Sequence, residues 1–123
     1  MDLNFNENKQ HTLKNPATIT GTGLHTGVMA DLTLNPANAN FGLQFQRTDL
    51  PGTCPVKADC DFVIDTSRGT TLQKNDIRIN TVEHVLAALT GMGIDNCLIE
   101  VNGPEIPIID GSSKPFTDLI AEA

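Results

Sequence analysis

Four short segments of the 123-residue sequence carry residue types that could do chemistry. The first is Thr81-Val82-Glu83-His84. An adjacent Glu and His can set a carboxylate beside a metal-ligating imidazole. In metal-assisted hydrolysis the ion polarises a water and the carboxylate takes its proton. A structural explanation competes with this one. Asn80 reads as a helix N-cap, Glu83 sits where the carboxylate of a capping box belongs, and a lone His near a helix start is usually polar surface. Spacing alone favours the structural explanation. The dipeptide is not HExxH, which sets two ligands one helical turn apart. A zinc site needs about three protein ligands, and the histidines here are only His11, His25 and His84.

The second segment is Gly21-Thr-Gly-Leu-His25-Thr-Gly27. Its glycines could let the backbone approach a ligand, with His25 projecting into a cleft. A tight hairpin between two strands explains the same residues, and with no helix following, neither a P-loop nor a Rossmann turn fits. The third, Pro104 to Ser113, holds Glu105 and Asp110, which could act as acid and base, although duties in turns and helix caps are favoured. The fourth pairs Cys54 and Cys60 with His84 as metal ligands, but the C-x5-C gap is unusual for zinc.

These residues need a scaffold, and the pattern around them describes one. Thr18–Thr22 and Val28–Leu34 read as strands, with Val28, Ala30, Leu32 and Leu34 on one face. Leu43–Arg47, Phe62–Thr66 and Thr70–Gln73 read as further strands, the last two around a turn at Ser67-Arg68-Gly69. A helix is expected from the Asn80 cap to the stop at Gly91 and Gly93. Val82, Val85, Leu86 and Leu89 form its apolar stripe. Glu83, His84, Ala87 and Ala88 lie on the opposite side, where small residues would let another surface approach. Cys97–Val101 reads as a buried strand. A last helix is expected over Pro115–Ala121, with Pro115 tolerated in its first turn. The order gives an α+β fold: a mostly antiparallel sheet with two helices on one face. Residues 1–8 are polar and expected to be a disordered N-terminal segment, leaving 9–123 as one domain.

Composition narrows the function classes. Hydrophobic residues make up 39% of the chain, with five Phe and no Trp or Tyr, so the core must be aliphatic. The net charge of -7, with no basic cluster and no aromatic platforms, argues against nucleic acid as a partner. An anionic substrate remains open, because a few local Lys or Arg can outweigh net charge at a site. Cys54, Cys60 and Cys97 form no disulfide framework and fit reduced thiols. No signal peptide is visible, and no apolar run approaches the ~20 residues that span a bilayer. A cytoplasmic, not membrane-spanning protein is expected.

Taken together, the segments resemble the UDP-3-O-acyl-N-acetylglucosamine deacetylases, zinc-dependent enzymes of lipid A biosynthesis. The resemblance runs through Lys9-Gln-His-Thr-Leu-Lys14, Gly21-Thr-Gly-Leu-His-Thr-Gly27 and Arg47-Thr-Asp49. It continues through Ile77-Arg-Ile-Asn-Thr-Val-Glu-His-Val-Leu-Ala-Ala-Leu89, Gly93-Ile-Asp-Asn96 and Glu100-Val-Asn-Gly-Pro-Glu-Ile-Pro-Ile-Ile-Asp-Gly-Ser112. It implies that Glu83 is the general base and His84 a zinc ligand. His25 is implied near the active-site cleft. Ser67, Arg68, Gly69 and Thr70 are implied to line the substrate region. The family fold is two similar α+β domains around the active site, and this chain matches the first. The remaining zinc ligands, a second catalytic His and a substrate Lys are implied in a C-terminal domain missing here. The substrate is then UDP-3-O-acyl-N-acetylglucosamine, and the chain by itself is expected to be inactive. The alternative from another class is a non-catalytic α+β binding or interaction domain, in which Glu83 caps a helix and His84 is surface.

Overall fold

Alternation of apolar and polar residues builds the main sheet. In this computed structural model, residues 9–24, 26–50, 52–59, 62–66, 69–74, 77–109 and 112–123 are described, with the side chains of 64–66 outside that set. The expected N-terminal segment 1–8, His25, Cys60, Ser67, Arg68 and Asp110 lie outside the described residues.

Strands β1 (Ala17–Thr22) and β2 (Met29–Pro36) form an antiparallel hairpin in which Thr22 pairs with Met29 and Ala17 with Leu34. Beyond β2 lies β8 (Cys97–Val101), then β3 (Leu43–Arg47) and β4 (Val56–Lys57) at the far edge. The β3–β8 pair is parallel and the other pairs are antiparallel. Leu32 faces Val101, and Leu34 faces Ile99, which in turn faces Phe45. All five side chains are fully buried. Their i, i+2 spacing puts them on one side of the pleat. The other side is polar. There the Thr18 and Thr33 hydroxyls share a hydrogen bond of 3.0 Å, and the Thr20 hydroxyl donates to Asp31 Oδ1 at 2.6 Å.

A second, three-stranded antiparallel sheet comprises β5 (Val63–Thr66), β6 (Gly69–Lys74) and β7 (Ile77–Asn80). Among the described residues there are two helices, α1 (Glu83–Gly91) and α2 (Lys114–Glu122). They contact each other, and α2 also contacts β1. Val85, Ala88 and Leu89 of α1 and Phe116 and Ile120 of α2 join the apolar face of the main sheet in one core. The α+β architecture, mainly antiparallel with two helices over the apolar side, agrees with the reading of the sequence.

Several local expectations are corrected. Val28 is not on the face of β2: it precedes the strand and is 47% exposed. Its carbonyl closes the hairpin loop by accepting the Gly23 N–H at 3.0 Å, so the chain has not yet entered the sheet. Asn80 is not a helix cap. It ends β7, and its Oδ1 accepts the Thr71 hydroxyl at 3.0 Å. The N-cap of α1 is Val82, without a side-chain cap bond. The residues Ile77–Asn80 thus form a strand, and the cap falls two residues later than the capping-box reading places it. Ala88 does not share an open face with Ala87. It is 1% exposed and belongs to the core that the two helices share with the sheet, whereas Ala87 is exposed.

Candidate active site

The start of α1 is fixed by neighbours distant in sequence. At the end of β7 the Asn80 N–H donates to the Pro104 carbonyl at 2.8 Å, and the Ile106 N–H donates to the Asn80 carbonyl at 3.0 Å. This parallel bridge anchors the segment around Glu105 beside Asn80. The next residue, Thr81, has φ 63, in the left-handed region. For a β-branched residue that conformation costs about 1–3 kcal/mol and must be held by its surroundings. Two bonds hold it here. The Thr81 hydroxyl donates to Glu105 Oε2 at 2.7 Å, and the following Val82 N–H donates to the Thr70 carbonyl at 3.1 Å. The reversal at Thr81 turns the chain from β7 into α1, and Val82, fully buried, seals the junction.

Glu83 is then the first helical residue, and it is half-buried. An acidic side chain in the first turn suits the helix end where N–H groups are unsatisfied. Its Oε1 accepts the Thr70 N–H at 3.2 Å. Its Oε2 lies so close to Gly69 that a Cβ there would be 2.6 Å away, and Gly69 has φ +114, which L side chains rarely adopt. Only glycine lets β6 run this near the carboxylate. Glu83 is therefore held by the start of β6 on one side and by its own helix on the other. His84, next in the helix, is also half-buried.

Of the residues named from the sequence, the structure brings together Glu83, Gly69 and Thr70, with His84 adjacent in the chain. His25, Ser67 and Arg68 lie outside the described residues. Gly23, Thr26 and Gly27 of the β1–β2 loop are tied to Glu105 and to one another. The Gly27 N–H donates to the Gly23 carbonyl at 3.0 Å, and the Thr26 N–H donates to Glu105 Oε1 at 2.9 Å. Glu105, 1% exposed, thus joins the loop to Thr81. Sequence reasoning included Thr81 in its first candidate segment but gave it no role, and it favoured turns and caps for Glu105. One signal was available: Glu105 is an acid inside the otherwise apolar run Pro104 to Ile109, a context that needs paid-up hydrogen bonds.

A 450 Å3 cleft opens elsewhere, at the β3–β4 edge between Phe41, Leu43, Lys57 and Asp59, and none of the residues above lines it. As for a metal, among the described residues no group of three or more His, Cys, Asp or Glu side chains could hold one. His84 can supply one imidazole. A complete donor set needs residues beyond those described.

The model of the UDP-3-O-acyl N-acetylglycosamine deacetylase family matches residues 10–123. The chain belongs to this family. A UDP-3-O-acyl-N-acetylglucosamine deacetylase of Methylococcus capsulatus is 52% identical over 115 residues, which are 94% of this chain and 38% of the relative. The corresponding deacetylase of Myxococcus xanthus is 49% identical over 93% of this chain and 36% of its own length. A bifunctional enzyme LpxC/FabZ of Bacteroides thetaiotaomicron is 51% identical over 91% of this chain and 24% of its own length. The chain therefore spans well under half the length of these curated relatives. The matched deacetylase region includes the whole β7–α1 junction and the Glu105 segment.

Proposed function

We propose that this chain contributes the general base and one metal ligand to a zinc-dependent deacetylase whose remaining ligands lie outside it. The substrate is UDP-3-O-acyl-N-acetylglucosamine, and the products are acetate and the free amine. The observation that carries this reading is the placement of Glu83, held at the first turn of α1 against Gly69 and Thr70, immediately before His84. A carboxylate needed only as a helix cap would bond its own helix start. This one reaches across to another strand.

Zinc, when bound, supplies a water with its pKa lowered to about 7 and polarises the acetyl carbonyl. His84 would be one of its ligands. Glu83 would accept a proton from the attacking water at a carboxylate oxygen as that water's oxygen adds to the acetyl carbon, and the C–N bond would then break with the amine leaving. Ser67, Arg68, Gly69, Thr70 and His25 serve the substrate side. Gly69 does so by leaving room beside the carboxylate, and Thr70 by fixing its orientation through the backbone N–H. The amine proton and the acyl-chain passage are assigned to the partner domain outside this chain. With one imidazole the chain alone binds zinc weakly, because affinity comes from several preplaced ligands, and it releases no acetate. Among the described residues no helix is long and apolar enough to cross a membrane. We place the enzyme in the cytoplasm, with no nucleic-acid partner.

The test is Glu83→Gln in the full-length enzyme. The amide keeps an oxygen for the Thr70 N–H but cannot take a proton. Turnover is expected to fall about 10³-fold, within the range for loss of a general base, with zinc content unchanged. Loss of the metal in that variant would make Glu83 a ligand, and unchanged turnover would return it to a structural role.

A further inference from the structure

The Glu105 carboxylate is buried, yet it sits on no helix or strand of its own, and it belongs to neither of the roles given above. Its backbone is pinned on both sides, through the Pro104 carbonyl and the Ile106 N–H, to Asn80. Its side chain then spans two separate pieces of chain. Oε1 takes the Thr26 N–H of the β1–β2 loop at 2.9 Å, and Oε2 takes the Thr81 hydroxyl at 2.7 Å. Gly23 shows how tightly the loop is seated: a Cβ there would collide with Glu105 Oε1 and lie 2.7 Å from the Thr26 hydroxyl. The loop and the carboxylate are therefore shaped to one another.

Given the deacetylase reading, on which this assignment rests, we propose that Glu105 is a positioning residue. It clamps the β1–β2 loop, at Thr26, to the left-handed residue that launches α1. Three elements meet at this carboxylate. The loop comes from one hairpin of the main sheet. Thr81 is the hinge between β7 and α1. The 104–106 segment lies beside them. Two residues beyond Thr81 stands Glu83, so any relaxation of Thr81 from φ 63 re-aims the first turn of the helix and with it the base. The same relaxation frees the loop. The β1–β2 loop and the start of α1 lose their register together, which a contact confined to one element would not do.

The physical need for a carboxylate is specific. Thr81 must be held in a conformation that β-branched residues avoid. A buried acceptor with two oxygens, each aimed at a different donor, can hold the hinge and the loop at once. An apolar residue at 105 would leave the hydroxyl of the buried Thr81 without its acceptor, where an unmet donor is costly, and would take away the acceptor of the Thr26 N–H on the exposed loop.

The experiment uses the full-length enzyme with four variants: Glu83→Gln, Glu105→Ala, Thr81→Val, and the double variant Glu105→Ala/Thr81→Val. Melting curves, zinc content, kcat and KM are measured for each. Glu105→Ala is expected to lower kcat by about 30-fold, in keeping with the sensitivity of catalysis to misplacement of about 1 Å, with KM changed less than threefold and zinc retained. Thr81→Val is expected to lower kcat by about tenfold. Because both act through one contact, the double variant should be no more than about twofold worse than Glu105→Ala alone. A folded Glu105→Ala enzyme with wild-type kcat overturns the assignment, as does a double variant whose loss is the product of the two singles. If Glu105→Ala does not fold, Thr81→Val decides: wild-type kcat there overturns the proposal, and a loss in kcat at constant KM supports it. Full turnover by Glu83→Gln would sink the reading of Glu83 as the base and this assignment together, whereas failure of the Glu105 arms alone leaves that reading intact.

Discussion

In the five-stranded sheet every buried side chain is one of many. Leu32, Leu34, Phe45, Ile99 and Val101 repeat the same device, an apolar residue on the inner side of the pleat, and each is backed by neighbours in register. At the start of α1 each contact occurs once. One threonine takes the left-handed turn, one glycine makes room for Glu83, and one buried carboxylate joins the loop to the hinge. The sheet is redundant and the junction is not. A redundant region sets how stable the molecule is. A region of single contacts sets where a few atoms point, at some cost in backbone strain. If that division is right, substitutions in the sheet should move stability and leave turnover per folded molecule alone, and substitutions at the junction should lower turnover per folded molecule, whatever they cost in stability.

The largest effect after loss of the base itself is expected in the sheet. Phe45→Ala removes a fully buried ring where β3 meets β8. A change of this kind costs about 3–5 kcal/mol, from lost transfer energy and the cavity left behind. Denaturant unfolding of the full-length enzyme should show that loss, with kcat per folded molecule within twofold of normal. A large fall in kcat at normal stability would break the division of labour from the sheet side.

The same contrast explains what could be read from the sequence. Alternation is local, so the main sheet was legible: Ala30, Leu32 and Leu34 announce β2, and the apolar run Cys97–Val101 announces β8. The junction was not, because its partners are far away in the chain. Asn80 looks like a helix cap when only the next four residues are considered. What decides its state is the Thr71 hydroxyl and the backbone of Pro104 and Ile106. Ile77–Asn80 is too short to show a period of its own. Ala88 went to the wrong face because a helical wheel sees one helix, whereas the core that buries Ala88 is assembled from distant elements, α2 among them. Glu83 and His84 could be singled out by type, but spacing favoured surface and cap. Their assignment came from the family resemblance. The structure adds the Thr70 and Gly69 contacts, which a cap does not require.

Gly69→Ala comes next, and it tests the junction side. The new methyl would sit 2.6 Å from Glu83 Oε2, on a backbone with φ +114. Either the carboxylate or the start of β6 must shift. A displacement of about 1 Å is enough to cost about 10²-fold in rate. We expect kcat to drop by that order, with zinc content kept and a far smaller change in stability than Phe45→Ala brings. A Gly69→Ala enzyme with normal kcat would show that the close approach of β6 to Glu83 does not matter for turnover.

The smallest expected effect lies between the two regions, at the end of β3. Arg47 donates to Asp49 from Nε at 3.1 Å and also from Nη2, and its Nη1 reaches the Arg78 carbonyl at 3.4 Å. It thus touches both sheets, since Arg78 belongs to β7. The guanidinium holds the Asp49 carboxyl below its ordinary value of 3.8, mainly through the side-chain hydrogen bond, against a smaller opposing push from burial. A depressed folded-state value means that the pair stabilises the fold above the unfolded pKa and that this contribution is lost as pH falls through the folded one. With Asp49 partly open to solvent, the pair is worth about 0.5–1 kcal/mol. Asp49→Asn should therefore be less stable than the native enzyme by about that amount at neutral pH, and the gap should close as pH drops below the carboxylate range. Turnover should stay within twofold. A stability gap that widened toward acid pH would mean that Asp49 is destabilising when charged, and the Arg47 link between the sheets would have to be reassigned to its contact with the Arg78 carbonyl alone.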